Sequence, residues 1–134
     1  ERKVVSINHG LLVFLGIEIE DTNEDEKWLV NKISSLRIFS DEQGKMNKSV
    51  TEIDGEAIVV SQFTLHAKTK KGNRPSYIKS AKPEQAISLY EQFKEDLSIA
   101  IEKKVQSGEF GADMKVSLTN DGPVTIIIDS KNKE

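Results

Sequence analysis

The residues Ser61–Leu65 offer a hydroxyl and a carboxamide, groups that could serve nucleophilic catalysis. They come at the end of Ala57–Ser61, which is apolar and β-branched and is therefore expected to be a buried strand. Ligands gather at strand ends in α/β proteins. Ser61 could be a nucleophile, Gln62 a hydrogen-bond donor, and the N–H of the next residue an oxyanion donor.

A serine nucleophile also needs a base. His66 is near in sequence, but neighbouring side chains of a strand point to opposite faces, so we do not expect a Ser61–His66 pair. The alternative interpretation, which these residues by themselves favour, is a strand that leaves the core with one hydrogen-bonded serine.

A second polar segment, Asn120–Thr125, contains the dipeptide Gly122-Pro123. Proline removes a backbone donor and raises the chance of a cis bond, and glycine permits a close approach of the backbone. Such a rigid ridge could read shape, including chirality, with main-chain atoms. A hairpin turn alone would also explain the Asn, Asp and Gly residues.

The stretch Lys68–Lys82 carries six positive side chains and no acid, so the rest of the chain, whose total is -3, has a net charge of -9. A basic segment on an acidic protein indicates a local site for a polyanion. Arg74 and Tyr77 add a planar cation and a ring that could stack on bases. A solvated loop is the alternative interpretation.

The composition excludes several kinds of chemistry. The chain of 134 residues has no cysteine and two histidines, His9 and His66, which excludes disulfides, thiolate nucleophiles and a three-histidine zinc site. No metal and no cofactor are expected. The apolar run Leu11–Ile17 is too short to span a bilayer and lacks the flanks of a signal peptide, so the cytoplasm is the expected compartment.

Hydrophobic periodicity predicts one mixed α/β domain with the element order β, β, α, β, α, β, β. Because two helices are few for this number of strands, one sheet face is expected to pack on another sheet or on a partner subunit. A turn is predicted at Asp41–Gly44, a short extended piece at Arg37–Phe39 and a loop at Lys68–Lys82. The predicted strands are Arg2–Ser6, Leu11–Ile19, Ala57–Ser61, Met114–Leu118 and Val124–Asp129, and the predicted helices are Asn23–Leu36 and Pro83–Lys103.

Together these segments resemble the D-aminoacyl-tRNA deacylases, the D-tyrosyl-tRNA deacylase family. Ser61–Leu65 is similar to the family's SQxxL motif and Asn120–Thr125 to its NxGPxT motif. Lys70–Pro75 is similar to its TRKGxRP-type loop. Further similar segments are Leu36–Phe39, Gly44–Asn47 and Phe110–Met114, so the resemblance covers essentially the whole chain in order.

The sequence departs from the family pattern in two respects. Members usually begin with a strand of MRxVIQRV type, and we expect this first strand to be missing because the sequence starts after it. His66 stands where the family often has a tyrosine or another large residue, which argues against a catalytic histidine.

The resemblance implies a compact single α/β domain over residues 1–134, with mixed β-sheets and two main helices. It implies a homodimer with the active site at the subunit interface. The implied activity is chiral proofreading, in which the ester that joins a D-amino acid to the terminal adenosine of tRNA is hydrolysed. Removal of glycine from mischarged tRNA is implied as well, and no membrane partner is expected.

The resemblance also implies roles for individual residues. Gly122 and Pro123 would be a cis dipeptide that enters the partner subunit's pocket and excludes an L side chain. The basic residues Lys70, Lys71 and Arg74 are expected to touch tRNA phosphates. The expected catalytic residues are Ser61, Gln62, Phe63 and Thr125, and the expected substrate-binding residues are Leu65, Asn120, Gly122, Pro123, Phe110, Gly111, Ala112 and Met114.

Two mechanisms remain open at this point. In the first, the terminal 2′-hydroxyl of the tRNA assists the attacking water and a main-chain N–H near Phe63 stabilises the oxyanion. In the second, Ser61 or Thr125 is the nucleophile. A different function also stays open, that of a non-catalytic dimeric module that binds DNA at replication origins.

Overall fold

The computed structural model describes residues 3–134, in which apolar strands and two long helices form the core. In chain order the elements are β1 (Gly10–Leu15), α1 (Asn23–Ser35), β2 (Phe39–Ser40), β3 (Met46–Lys48), β4 (Glu56–Ser61), a 3-10 helix (Phe63–His66), α2 (Pro83–Ile101) and β5 (Gln106–Ser107).

Strand β4 lies at the centre of a three-stranded sheet with the order β1-β4-β5. Both of its neighbours run parallel to it, and the register aligns Gly10 with Glu56 and Leu15 with Ser61. A Cβ atom on Gly10 would overlap the carbonyl oxygen of Glu56. Glycine at this position therefore lets the two strands begin side by side.

Helix α1 begins with a capping box. The Thr22 hydroxyl accepts a hydrogen bond from the Glu24 N–H at 3.3 Å, and the Thr22 N–H donates to Asp25 Oδ2 at 2.9 Å. Helix α2 begins at Pro83, where the missing N–H costs nothing because the first N–H groups of a helix have no partner inside it.

The core forms where α2 packs against α1 and against β4. Phe93 and Leu97 of α2 are fully buried, and Val59 of β4 is buried with them. The Tyr90 hydroxyl donates a hydrogen bond to the carbonyl oxygen of Val59 at 3.4 Å. Residues Val30 and Ile33 bring α1 into the same core.

Two lysines attach the C-terminal segment, residues 130–134, to α1. Lys131 Nζ lies 3.0 Å from Asp25 Oδ2 and donates to the carbonyl oxygen of Glu20 at 3.2 Å. Lys133 Nζ lies 4.7 Å from the centre of the Trp28 ring. Burial opposes ionisation of Asp25, but the hydrogen bonds from Thr22 and Lys131 outweigh it and lower the pKa of this carboxyl to about 2.

The predicted fold class is confirmed, because the chain is an α/β domain with two main helices and with both parallel and antiparallel sheets. The helices end within two residues of the predicted bounds. The turn at Asp41–Gly44 is confirmed by the hydrogen bond from Gly44 N–H to the Asp41 carbonyl oxygen at 3.0 Å. This turn joins β2 to β3 in an antiparallel pair.

Several strand predictions are wrong. Met114–Leu118 and Val124–Asp129 form no strand in the described part of the chain, and the predicted strand Leu11–Ile19 is confined to β1. Of the predicted strand Arg2–Ser6, Arg2 lies outside the described residues and the remainder forms no strand. The element order β, β, α, β, α, β, β is therefore also wrong.

These errors have a common physical reason. Alternating apolar residues favour an extended chain, but a strand exists only where a second strand pairs with it. The apolar side chains of the two C-terminal segments are largely exposed, as Leu118 at 60% and Ile127 at 93% show. Neither α1 nor α2 is long and apolar enough to cross a membrane.

Candidate functional site

The three parallel strands end at the same edge of the sheet, which is where the candidate site begins. Because β1, β4 and β5 run in one direction, Leu15, Ser61 and Ser107 all lie at their carboxyl ends. Open α/β sheets bind ligands at this edge. The motif that starts at Ser61 is therefore placed where the sequence predicted it.

After Ser61 the chain turns into the 3-10 helix Phe63–His66. The Gln62 N–H donates to the Leu15 carbonyl oxygen at 2.8 Å, which keeps Gln62 against β1. The Gln62 carboxamide donates to Thr64 Oγ1 at 2.6 Å. Phe63 and Leu65 are 55% and 58% exposed, so two large apolar side chains of the motif face outward at this edge.

Gly16 allows the 3-10 helix to lie close to the end of β1. A Cβ atom on Gly16 would be 3.1 Å from both Leu65 Cβ and His66 Cδ2, and 3.2 Å from the Gln62 carbonyl oxygen. A larger residue would push the turn away from the sheet edge.

The basic loop, residues 68–82, lies beside this turn. Lys68 and Ser76 exchange two backbone hydrogen bonds of 2.7 and 2.9 Å, which close the loop at its base. Tyr77 packs edge-on against the Phe63 ring with 5.0 Å between centroids. Ser80 Oγ donates to the Phe63 carbonyl oxygen at 3.2 Å. The loop is thus attached to the motif through Phe63.

All six cations of the basic loop are exposed, and none of them forms an ion pair with an acid in residues 3–134. Elsewhere many lysines are paired, for example Lys103 with Asp54 at 2.9 Å. The positive charge of the loop is therefore available to an anionic ligand.

The segment Phe110–Met114 follows β5 and reaches the core through one ring. Phe110 packs edge-on against Tyr90 with 5.5 Å between centroids, and Tyr90 in turn contacts β4. Gly111 and Ala112 are exposed, whereas Met114 is half-buried. A hydrogen bond of 2.6 Å from Lys115 lowers the pKa of the neighbouring Asp113.

The segment Asn120–Thr125 is held by its own side chains. Asn120 Oδ1 accepts the Val124 N–H at 2.8 Å, and Asn120 Nδ2 donates to Thr125 Oγ1 at 3.1 Å. The Gly122–Pro123 peptide bond is cis, and both residues are exposed. No hydrogen bond joins this segment to Ser61–Leu65 in the part of the chain that the structure describes.

Histidine chemistry at Ser61 finds no support in the geometry. His66 Nδ1 faces Glu18 Oε2 at 3.7 Å, and no hydrogen bond links Ser61 to His66 within residues 3–134. Over the same range no three His, Asp or Glu side chains are arranged to hold a metal ion.

Gly16 and Ser80 were not predicted to belong to the candidate site, and Tyr77 was predicted only as a ring that could stack on bases. All three hold the motif in position from other segments of the chain. For Gly16 a signal was present, because a glycine inside a predicted strand, here Leu11–Ile19, often marks a close backbone approach. The contacts of Tyr77 and Ser80 with Phe63 have no local signature.

Comparison with known proteins identifies relatives over nearly the full length. The family described as "D-Tyr-tRNA(Tyr) deacylase" matches residues 1–129. A D-aminoacyl-tRNA deacylase of Bacteroides fragilis (strain YCH46) is 64% identical over 129 residues, which are 96% of this chain and 86% of the relative.

Two solved structures resemble the fold. One, described as "c-Myc DNA Unwinding Element Binding Protein", is 44% identical with a TM-score of 0.83 over 90% of this chain and 81% of its own. The other, from "Structural Analysis of a probable eukaryotic D-amino acid tRNA deacylase", is 17% identical with a TM-score of 0.62. It covers 76% of this chain and 74% of its own, and it supports the fold alone.

The geometry of Gly122 generates a testable prediction. In Gly122→Ala the new Cβ would lie 2.8 Å from Val124 Cγ2 and 3.0 Å from Val124 N, at a φ of +144° that L side chains rarely adopt. We expect the Val124–Asn120 hydrogen bond to break, with amide exchange at Val124 faster by roughly tenfold in NMR experiments.

Gly111→Ala is the matched control, because Gly111 has a φ of +78° but no atom within 4 Å of its Cβ position. It should leave the exchange of Val124 unchanged. Unaltered exchange at Val124 in Gly122→Ala would show that the turn does not depend on glycine.

Proposed function

The chain belongs to the D-Tyr-tRNA(Tyr) deacylase family, and we propose that the ester on which it acts joins a D-amino acid to the terminal adenosine of tRNA. The protein is a hydrolase that deacylates D-aminoacyl-tRNA. The observation that carries the proposal is the family match over residues 1–129, which includes both motifs. We extend the substrates to mischarged glycyl-tRNA and place the reaction in the cytoplasm.

The pocket for the aminoacyl group is proposed to form at the carboxyl edge of the sheet. Ser61 and Gln62 would line its floor, and the exposed Phe63 and Leu65 its wall. Thr125 would lie beside the pocket. The segment after β5 would flank the terminal adenosine with Phe110, Gly111, Ala112 and Met114.

In the proposed mechanism the substrate supplies part of the chemistry. An aminoacyl ester is already activated, so positioning and stabilisation of the oxyanion are the main tasks. Phe63 begins the 3-10 helix, where a backbone N–H has no partner inside the helix and can donate to the oxyanion. The terminal 2′-hydroxyl would assist the attacking water, which agrees with the lack of a hydrogen bond from Ser61 to His66 in the described residues.

Chirality is proposed to be read by main-chain atoms in a homodimer. Gly122 and Pro123 would enter the pocket of the partner subunit, where their carbonyl oxygens hold the amino group and their bulk excludes an L side chain. Two observations support this role: the segment is exposed, and the hydrogen bonds of the Asn120 side chain to Val124 and Thr125 fix the conformation of the turn. Glycine would pass because it has no side chain that could clash.

The basic loop is the proposed binding surface for tRNA. Lys70, Lys71 and Arg74 are exposed at its tip, beyond the Lys68–Ser76 closure. Because Tyr77 and Ser80 attach the loop to Phe63, phosphates bound at the tip would be held next to the aminoacyl pocket.

A second candidate function is a non-catalytic module that binds DNA. One observation favours it, namely that the structure at 44% identity is described as a DNA unwinding element binding protein. An exposed basic loop suits either nucleic acid, since phosphate contacts carry no sequence information. The two functions differ in whether an ester is hydrolysed.

The first experiment compares substrates. Purified protein should deacylate D-tyrosyl-tRNA at least roughly 100-fold faster than L-tyrosyl-tRNA, since a chiral clash in a rigid pocket costs several kcal/mol. The release of radiolabelled amino acid from each tRNA is measured, with glycyl-tRNA as a third substrate in parallel. Binding of duplex DNA to the same protein is measured by titration. A folded protein that binds the duplex tightly and hydrolyses none of the esters would favour the DNA-binding function.

The second experiment removes the proposed phosphate contacts. The triple variant with Lys70→Ala, Lys71→Ala and Arg74→Ala should bind tRNA roughly tenfold or more weakly at low salt. The slope of log affinity against log salt should flatten by about 2 to 3, because each of the three lost phosphate contacts contributes about 0.7 to 0.9 to that slope.

A charge-matched control replaces Lys27, Lys45 and Lys104, which are exposed on other parts of the chain. This variant should bind like the parent protein. If the loop variant shows the same affinity as this control at low and at high salt, the loop is not the tRNA surface.

The third experiment separates the two mechanisms. Ser61→Ala and Thr125→Ala should each retain at least about a tenth of kcat if the tRNA hydroxyl assists water, whereas loss of a nucleophile lowers kcat by roughly 10⁴-fold or more. Single-turnover deacylation measures the rate, with Thr69→Ala in the exposed loop as the control. A loss of that size with intact folding and tRNA binding would establish covalent catalysis instead.

A further inference from the structure

Two carboxyl groups meet between the helices, away from the candidate site. Glu26 of α1 is only 5% exposed. Asp96 of α2 adds a like charge to its surroundings, and a hydrogen bond between the two carboxyls would require a proton because two carboxylates are both acceptors. Both Glu26 oxygens and Asp96 Oδ2 are buried without a donor from residues 3–134. Gln92 donates to the other Asp96 oxygen at 3.0 Å.

The surroundings of Glu26 do not stabilise a negative charge. The cavity beside it is about 20 Å³, space for roughly one water molecule, whereas a carboxylate accepts about four hydrogen bonds. Its remaining lining is largely apolar and comes from the end of β1, from α1 and from α2: Leu15, Gly16, Ile17, Leu29, Leu89 and Phe93.

The charged groups around Glu26 are mostly acids. Asp21 and Asp25 line the same cavity, and Asp96 faces Glu26 from α2. Lys131 of the C-terminal segment is paired with Asp25 at 3.0 Å. Lys27 is the cation that favours ionisation of Glu26, and its side chain is exposed. The proton on the pair is therefore held by burial and by like charge.

We propose that Glu26 and Asp96 share one proton and form a pH-sensitive latch between α1 and α2. The proton lets the two carboxyls bond across the helix interface, and its loss leaves two like charges in an apolar cleft. Because α1 also carries Asp25, to which Lys131 attaches the C-terminal segment, opening of the latch would reach the segment that follows Asn120–Thr125. The latch goes beyond the proposed function and does not depend on it.

The direction of the pH dependence follows from the pKa of Glu26. Burial is its largest cause, the neighbouring Asp96 carboxyl adds to it, and together they raise this pKa from 4.5 to about 7. The folded chain then holds the proton more tightly than the unfolded chain. The stabilisation is complete below pH 4.5 and is lost as the pH rises through about 7.

Urea denaturation at several pH values between 5.5 and 8.5 tests the latch. From the two pKa values, the folding constant of the parent protein should fall roughly thirty-fold across this range. In Glu26→Gln the amide keeps the size of the side chain and can donate to Asp96 without a titrating proton. This variant should lose most of the fall and should be more stable than the parent at pH 8.5.

Two further variants make the comparison specific. Asp96→Asn removes the like charge and offers a donor to Glu26, so it should also flatten the pH dependence. Glu95→Gln changes an exposed carboxyl of the same helix and should keep the parental fall. Each variant changes one residue and leaves every other ionisable group in place, so the difference between the four proteins isolates the pair.

Carboxyl ¹³C NMR of the parent protein gives a direct readout that needs no variant to fold. One glutamate resonance should titrate near pH 7, and Glu26→Gln should lack it. A parental pH dependence in Glu26→Gln, or a parent protein in which no carboxyl titrates between pH 6 and 8, would overturn the shared proton.

Discussion

The parallel pairing of β1 with β4 is the constraint on which the rest of the structure depends. Parallel strands cannot be joined by a tight turn, so the chain must cross back between Leu15 and Glu56, and α1 with the β2–β3 hairpin makes that crossing. The same direction of the strands brings their carboxyl ends to one edge. The polar turn after Ser61 lies there and is held against β1 by the bond from Gln62 to Leu15.

Helix α2 connects this edge to the core. Its buried face packs on β4 through Tyr90 and Phe93, and Tyr90 also contacts Phe110 in the segment after β5. The residues proposed to meet substrate lie at the strand end and on loops near the surface, where they are exposed or half-buried, whereas the scaffold beneath them is apolar and packed. This division is common in enzymes, because a rigid scaffold can position loops that remain accessible to ligands.

Most of the helical structure could be predicted from the sequence, because helices depend on contacts three and four residues apart. Thr22, the acids after it and Pro83 mark where the two helices begin, and the structure agrees. The predictions of two C-terminal strands were wrong because strands depend on contacts that are not local. Alternating apolar residues indicate that a segment can form a strand, but the strand with which it would pair is decided by the whole fold. The motif around Ser61 was found in the sequence, while the contacts that hold it were not.

The sequence by itself determined the helices, the loop of six cations and both motifs, since each is a local pattern of residue types. The tertiary structure decided which of these meet. It placed Tyr77 on Phe63, left Asn120–Thr125 exposed and brought Glu26 against Asp96. Each of these results concerns residues that are far apart along the chain. Their geometry depends on strand pairing and helix packing, which no local pattern records.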